Sequence, residues 1–228
     1  MRNLSKRYKN LIKQKKEKNI EVFEESLKKV KSNCTTKFDE SIDVSFKLNL
    51  KQKKEEFNLR TVVNLPNGNG KKVKVAVLCE DNKIDEAKTA GADLAGSETL
   101  ISDITNGKIN FNKLIATPTM MSKMGKLGKI LGPKGLMPNP KLGTVTSDIK
   151  KAVKSLKEGQ IEIKNDKDGN LAASIGKKSF VDKKIIENFN ALISTIKKEK
   201  PNNIKGDFIL SSYLTSTMGV SYKLKVKT

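Results

Sequence analysis

Residues Lys123 to Thr146 read KMGKLGKILGPKGLMPNPKLGTVT. Five glycines, three of the chain's six prolines and five lysines fall here, and no Asp or Glu occurs from Ile104 to Ser147. Such a composition excludes a long helix or a buried strand. Gly and Pro divide it into turns, and the lysines make it a positive, solvent-facing loop. A polyanion is the natural partner of that surface. The plain alternative is a mobile surface loop that is merely basic.

Upstream of this stretch, Val75-Ala76-Val77-Leu78 is a short continuous apolar run, as in a strand buried on both faces. A helical segment from Asp85 to Ala90, a strand at Ala92 to Ala95, a helix near Glu98 to Ile104 and Leu114-Ile115-Ala116 follow. This order predicts a small open α/β sheet. The flanks differ. Ile42, Val44, Phe46, Leu48 and Leu50 alternate with polar residues, as do Val220, Tyr222, Leu224 and Val226, which predicts antiparallel strands with one wet face. Two helices open the chain. One carries Leu4, Tyr8, Leu11 and Ile12 on a single face, and the other runs near Val22 to Lys31 with Phe23, Leu27 and Val30 inward. The expected fold class is therefore α/β in two domains. An α+β domain with an antiparallel sheet is built from residues 1–66 and 159–228, and an α/β open-sheet domain, 67–158, is inserted between them.

The chain has 228 residues with 46 basic and 25 acidic side chains, a net charge of +21. The excess is spread over 1–66, 67–158 and 159–228 as +8, +7 and +6, so no single tail carries it. That distribution points to nucleic acid rather than a membrane-binding arm. Arginine occurs only at Arg2, Arg7 and Arg60. Lysine is a flexible point charge suited to phosphate, so the lysines supply affinity and salt dependence while selectivity comes from other residues. An AT-rich coding bias gives the same lysine excess, and the two explanations are compatible.

Histidine is absent, and the two cysteines, Cys34 and Cys79, are far apart. His-based acid–base chemistry and the usual zinc sets are thereby excluded. Gly68-Asn69-Gly70 precedes a strand instead of following one and lacks a third glycine. Gly128 to Lys134 has no Ser or Thr after the lysine, so neither is a nucleotide-binding loop. Asp166 and Asp168, beside Lys164 and Lys167, make a poor metal site. No enzyme, cofactor or metal is expected.

Within the opening stretch, LGKILGPKGLMPNPKLGTVT (Leu127 to Thr146) resembles the central signature of the bacterial large-subunit ribosomal protein L-one family. Further similar motifs follow family order: TKFDESIDV from Thr36, TVVNLPNGNGKKVKVAV from Thr61, AGAD from Ala90, NDKDG from Asn165, GKKSF from Gly176 and TSTMG from Thr215. The resemblance spans nearly the whole chain. It implies the same two-domain architecture, with connecting strands acting as a hinge at Pro66–Asn67 and Glu158–Gly159. It implies an rRNA-binding face made of the Lys37, Phe38, Asp39, Glu40 stretch with Ser41, Asp166, Lys167, Ser211, Thr215, Thr217, Met218 and Gly219. The second domain would present Lys126, Lys129, Lys134 and Lys141.

From chemistry alone, TSTMG offers hydroxyls, a thioether and a glycine suited to 2′-OH contacts and close backbone approach. Its alternative is an ordinary turn in which Gly219 supplies an unusual backbone angle. Phe38 either stacks on RNA or fills the core. The sequence departs from the family pattern at Leu59-Arg60, where Arg-Gly is usual, at Val220, where Pro is usual, and in Lys51 to Lys54, which lacks a proline. The function so implied is a structural, non-enzymatic protein of the large-subunit stalk. It would bind stalk rRNA, help deacylated tRNA leave the exit site and repress translation of its own operon mRNA. Other ribosomal components are further partners. The protein would be a monomer when free, cytoplasmic, without a membrane contact, and on a bacterial ribosome, with an organellar origin left open by the acid-free start. The rival is a general RNA-coating protein without a specific rRNA site.

Overall fold

The computed structural model describes residues 5–14, 20–49, 59–201 and 206–225. Leu4, Leu50, Lys51 to Lys54 and Val226, used in the sequence reading, lie outside these residues. The elements in chain order are α1 (Lys6–Gln14), α2 (Phe23–Ser32), β1 (Ser41–Leu48), β2 (Arg60–Asn64), β3 (Val75–Leu78), α3 (Ile84–Thr89), β4 (Leu94–Gly96), α4 (Glu98–Thr105) and β5 (Lys113–Ala116). After them come α5 (Pro118–Met124), α6 (Gly128–Leu131), α7 (Ile149–Glu158), β6 (Gln160–Lys164), β7 (Asn170–Lys177), α8 (Asp182–Lys198), β8 (Ile209–Ser216) and β9 (Tyr222–Leu224). They divide into two compact units, residues 1–70 with 161–228, and residues 71–160. The divisions fall a few residues beyond Pro66 and Glu158, where the change of patterning had drawn them.

In the first unit a four-stranded antiparallel sheet runs in the order β7-β1-β8-β9. The alternation in β1 is realised in full: Ile42, Val44, Phe46 and Leu48 are buried, while Ser41, Asp43, Ser45 and Lys47 are partly exposed. Each buried side chain of this size contributes about 1.5–3 kcal/mol. They face α2 and α8, whose Phe23 and Phe189 rings stack with centroids 3.8 Å apart. Helix α1 docks through Leu11 and, less deeply, Tyr8. Ile12, expected on the same inward face, is 43% exposed, because the stripe facing the core is narrower than the sequence periodicity suggested. Val220 and the β9 residues Tyr222 and Leu224 are buried. Arg60 is used across the β2–β6 pair, where its Nε donates to Glu162 Oε1 at 2.7 Å.

Asn188 of α8 is fully buried, and its amide is committed to the chain leaving β2. Its Nδ2 donates to the carbonyls of Gly68 and Ile175, both at 2.8 Å, and its Oδ1 accepts from Asn67 N–H at 3.1 Å.

In the second unit three parallel strands run β4-β3-β5, and every residue of β3 is buried. The helices form two layers. Leu100 and Ile104 of α4 pack with Met120, Met124, Leu127 and Leu131 on one side, and α3 and α7 supply Ala87, Val153 and Leu156 on the other. The Gly/Pro stretch is therefore not simply a solvent-facing loop. Its first part winds through the end of α5, a 3-10 turn at Gly125–Leu127 and α6, and its apolar residues fill the core. Met124, Leu127 and Leu131 recur at helical spacing, and the glycines between them take right-handed helical angles. Burial of that stripe outweighs the helix cost of glycine, about 1 kcal/mol per residue.

Candidate nucleic-acid interface

Because β1 lies between β7 and β8 and runs antiparallel to both, its start and their ends share one end of the sheet. Three of the sequence motifs converge there: the loop Thr35 to Ser41, the Lys177–Ser179 segment, and Thr215 to Gly219. Thr217 N–H donates to Ser41 O at 3.1 Å, and Ser41 N–H donates to Thr217 Oγ1 at 3.0 Å. Asp39 ties the second segment in, its carboxylate accepting from Ser179 N–H at 3.1 Å and Ser179 Oγ at 2.8 Å. The Ser179 hydroxyl holds the Asp39 carboxyl below its usual range.

Glu40, expected on the RNA-binding face, is 0% exposed and cannot touch a partner. Its role is internal. Oε1 accepts from Thr36 Oγ1 at 2.8 Å, and Oε2 accepts from Met218 N–H at 3.1 Å. Burial pushes its carboxyl upward, but the hydroxyls of Ser216 and Thr36 and the Met218 amide outweigh this and hold it low. Glu40 thus stays ionised and acts as the scaffold of the TSTMG turn.

Above this scaffold the exposed side chains include Lys37, Phe38, Thr217 and Met218, with Thr35 and the Asp39 carboxylate also exposed in the same loop. Phe38 is 52% and Met218 48% exposed, so the aromatic ring is not a core residue. Gly219 does not have the left-handed backbone that an ordinary-turn reading assigned to it. What it needs is space.

The uncovered face of the sheet continues from this end. Asp43, Ser45 and Lys47 of β1 stand opposite Thr215, Tyr213 and Ser211 of β8. Asp166 and Lys167 lie at the far end, in the turn before β7, roughly 23 Å from Lys177 at about 3.3 Å per strand residue. The structure does not bring them together with Phe38 and Met218. Asp166 is also spent on its own turn: it accepts from the backbone N–H of Asp168 at 3.0 Å and of Asn170 at 2.7 Å, and from Asn170 Nδ2 at 2.9 Å. Hydrogen bonds from Asn170 hold its carboxyl low. Lys47 Nζ links this turn to the open face by donating to Asp168 O at 2.6 Å.

Lys126, Lys129, Lys134 and Lys141 belong to the second unit, and all are exposed. The segment under Lys141 is built: Asn139 Oδ1 accepts from Lys141 N–H at 2.9 Å, and Asn139 N–H donates to Thr144 Oγ1 at 2.8 Å. Lys123 differs, being paired with Glu98 at 2.9 Å. Of the connecting residues, Asn67 is fastened to α8, with Nδ2 donating to Glu187 Oε2 at 2.7 Å; Glu158 ends α7, and Gly159 closes it at φ 110°.

Sequence reasoning missed Arg7, Thr36 and Ser179 as parts of this end. Thr36 and Ser179 fall within quoted motifs, so their clustering was accessible, whereas nothing in the sequence points α1 at the last turn. Among the described residues no group of His, Cys, Asp or Glu could hold a metal ion, and no helix is long and apolar enough to cross a membrane.

The ribosomal protein L1p/L10e family profile matches residues 27–220. The large ribosomal subunit protein uL1 of Pelagibacter ubique (strain HTCC1062) is 61% identical over 97% of this chain and 97% of its own. That of Prochlorococcus marinus (strain NATL1A) is 45% identical over 99% and 96%, and that of Rickettsia akari (strain Hartford) 48% over 87% and 83%. The match covers both compact units and all three converging motifs, and the chain belongs to the ribosomal protein L1p/L10e family.

Proposed function

We propose that this protein grips the stalk rRNA of the large ribosomal subunit with the Phe38–Met218 end of its first unit. Family membership makes it a ribosomal protein of the large subunit, cytoplasmic with the ribosome and not an enzyme. The observation that carries the finer reading is the pairing of a buried, ionised Glu40 with the exposed Thr217-Met218-Gly219 turn beside Phe38. A preformed neutral surface flanked by lysines suits RNA recognised by shape and 2′-hydroxyls. The open sheet face, with Ser211 and Thr215, extends the footprint toward Asp166 and Lys167.

In the same reading the exposed lysines of the second unit meet phosphates of exit-site tRNA, helping deacylated tRNA depart. An operon mRNA that mimics the rRNA element would occupy the same face, so rRNA and mRNA compete and excess protein represses its own translation. Binding of a labelled stalk-rRNA fragment, challenged with unrelated structured RNA and with the operon leader transcript, tests this. The leader should compete and the unrelated RNA should not. Equal competition by all three would reduce the protein to a general RNA-coating factor.

A further inference from the structure

Arg7 stands on α1, which Leu11 and Tyr8 anchor to the core of the first unit. Its Nη2 donates to the carbonyl oxygen of Met218 at 2.7 Å, and its Nη1 to Thr35 Oγ1 at 3.3 Å. The same Met218 gives its N–H to the buried Glu40 carboxylate at 3.1 Å. Both backbone polar groups of one exposed residue are therefore held by ionised side chains of opposite sign. Charge-assisted hydrogen bonds of this kind are roughly twice as strong as neutral ones. The planar guanidinium spans two acceptors at once, which a lysine ammonium on a flexible stem does less well.

We infer that Arg7 is a positioning residue for RNA recognition, fixing the Met218 peptide so that the thioether and the Gly219 backbone form a preformed surface. The inference rests on the proposal that Met218 and Gly219 meet RNA. An arginine near an RNA face is ordinarily assigned to phosphate. Here two of its donors point inward, to the turn and to the Thr35 hydroxyl. Fixing the turn before binding removes an ordering cost that the complex would otherwise bear.

Two measurements on the full-length chain separate these roles. In the free protein, Arg7→Gln should speed hydrogen exchange at the Met218 and Gly219 amides while thermal unfolding stays close to wild type. Against a stalk-rRNA fragment, Arg7→Gln should bind about tenfold more weakly with the salt dependence unchanged, because no phosphate contact is lost. In a Met218→Ala background the same change should cost clearly less than about tenfold, since part of the presented surface is already gone. A salt slope reduced by about one contact, additive losses in the double variant, or unaltered amide exchange would each overturn the positioning role. A wild-type chain that fails to prefer the stalk fragment would instead remove the functional reading itself, whatever Arg7→Gln does to exchange.

Discussion

A Cβ built on Gly219 would lie 2.4 Å from Ser216 Oγ, closer than two such atoms can approach. Ser216 is itself buried, so its hydroxyl has little room to turn away. Gly219→Ala should therefore destabilise the first unit by about 1–3 kcal/mol, the usual cost of overpacking. Adding Ser216→Ala removes the clashing oxygen and leaves the nearest remaining Ser216 atom at 3.6 Å, an ordinary contact. Thermal unfolding should then show the double variant losing less than the sum of the two single variants, a non-additive result. Strictly additive losses would mean that the clash is not the reason for the glycine.

Thr217→Val keeps the side-chain shape and removes the oxygen that accepts from Ser41 N–H. Stalk-rRNA affinity should fall by about 1–3 kcal/mol, the range for leaving polar groups unpaired. Lys126→Ala, in the second unit, should change binding of the same fragment much less. Filter binding that found the reverse order would move the recognition face to the other unit.

Glu40 gives the first unit an acid limb. Its carboxyl is held low in the folded chain, so the stabilisation it provides is complete above the ordinary carboxylate range. It is lost as pH falls through the lowered folded value. Unfolding followed from neutral pH down to about pH 2 should show this loss, and Glu40→Gln should flatten it while lowering stability at neutral pH. An unchanged acid limb in Glu40→Gln would assign the acid sensitivity to Asp39 and the other hydrogen-bonded carboxylates.

Lysine–phosphate contacts should make RNA binding steeply salt-dependent. With about 6–8 contacts, affinity should drop on the order of thousandfold between low and moderate salt. A flat response in a titration from about 50 to 200 mM salt would separate the charge excess from the binding surface.

Removing residues 71–160 and closing the gap with a short linker should leave a folded first unit that still binds stalk rRNA. Extending the deletion back to Asn67 should cost stability, because Asn188 then loses Gly68 O and the Asn67 N–H. Circular dichroism melts of the two deletions, with binding measured beside them, distinguish these cases. Failure of the shorter deletion to fold would show that the units depend on each other.

The alternating pattern of Ile42 to Leu48 and the solid apolar run of Val75 to Leu78 made both sheet types legible, because burial on one face or two writes directly into the period. Phe23, Leu27 and Val30 were read correctly for the same reason. The Gly/Pro stretch was misread because composition hides order: Met124, Leu127 and Leu131 carry a helical stripe through glycines that usually break one. Glu40 looked like a surface acid, and only the three-dimensional meeting of Thr36 and Met218 around it makes burial affordable. Arg7 was beyond reach, since its partner Met218 lies far away in sequence.

The pairing of β1 with β7 and β8 sets the order in which a newly made chain can mature. Ile42 pairs in register with Ser216, so the strand made near the start of synthesis waits for one made near its end. The second unit is continuous in sequence and can close while the ribosome is still translating, whereas such long-range strand pairing is intrinsically late. The Phe38–Met218 surface therefore cannot exist on a truncated or stalled product. Only a chain extended past Gly219 can present it.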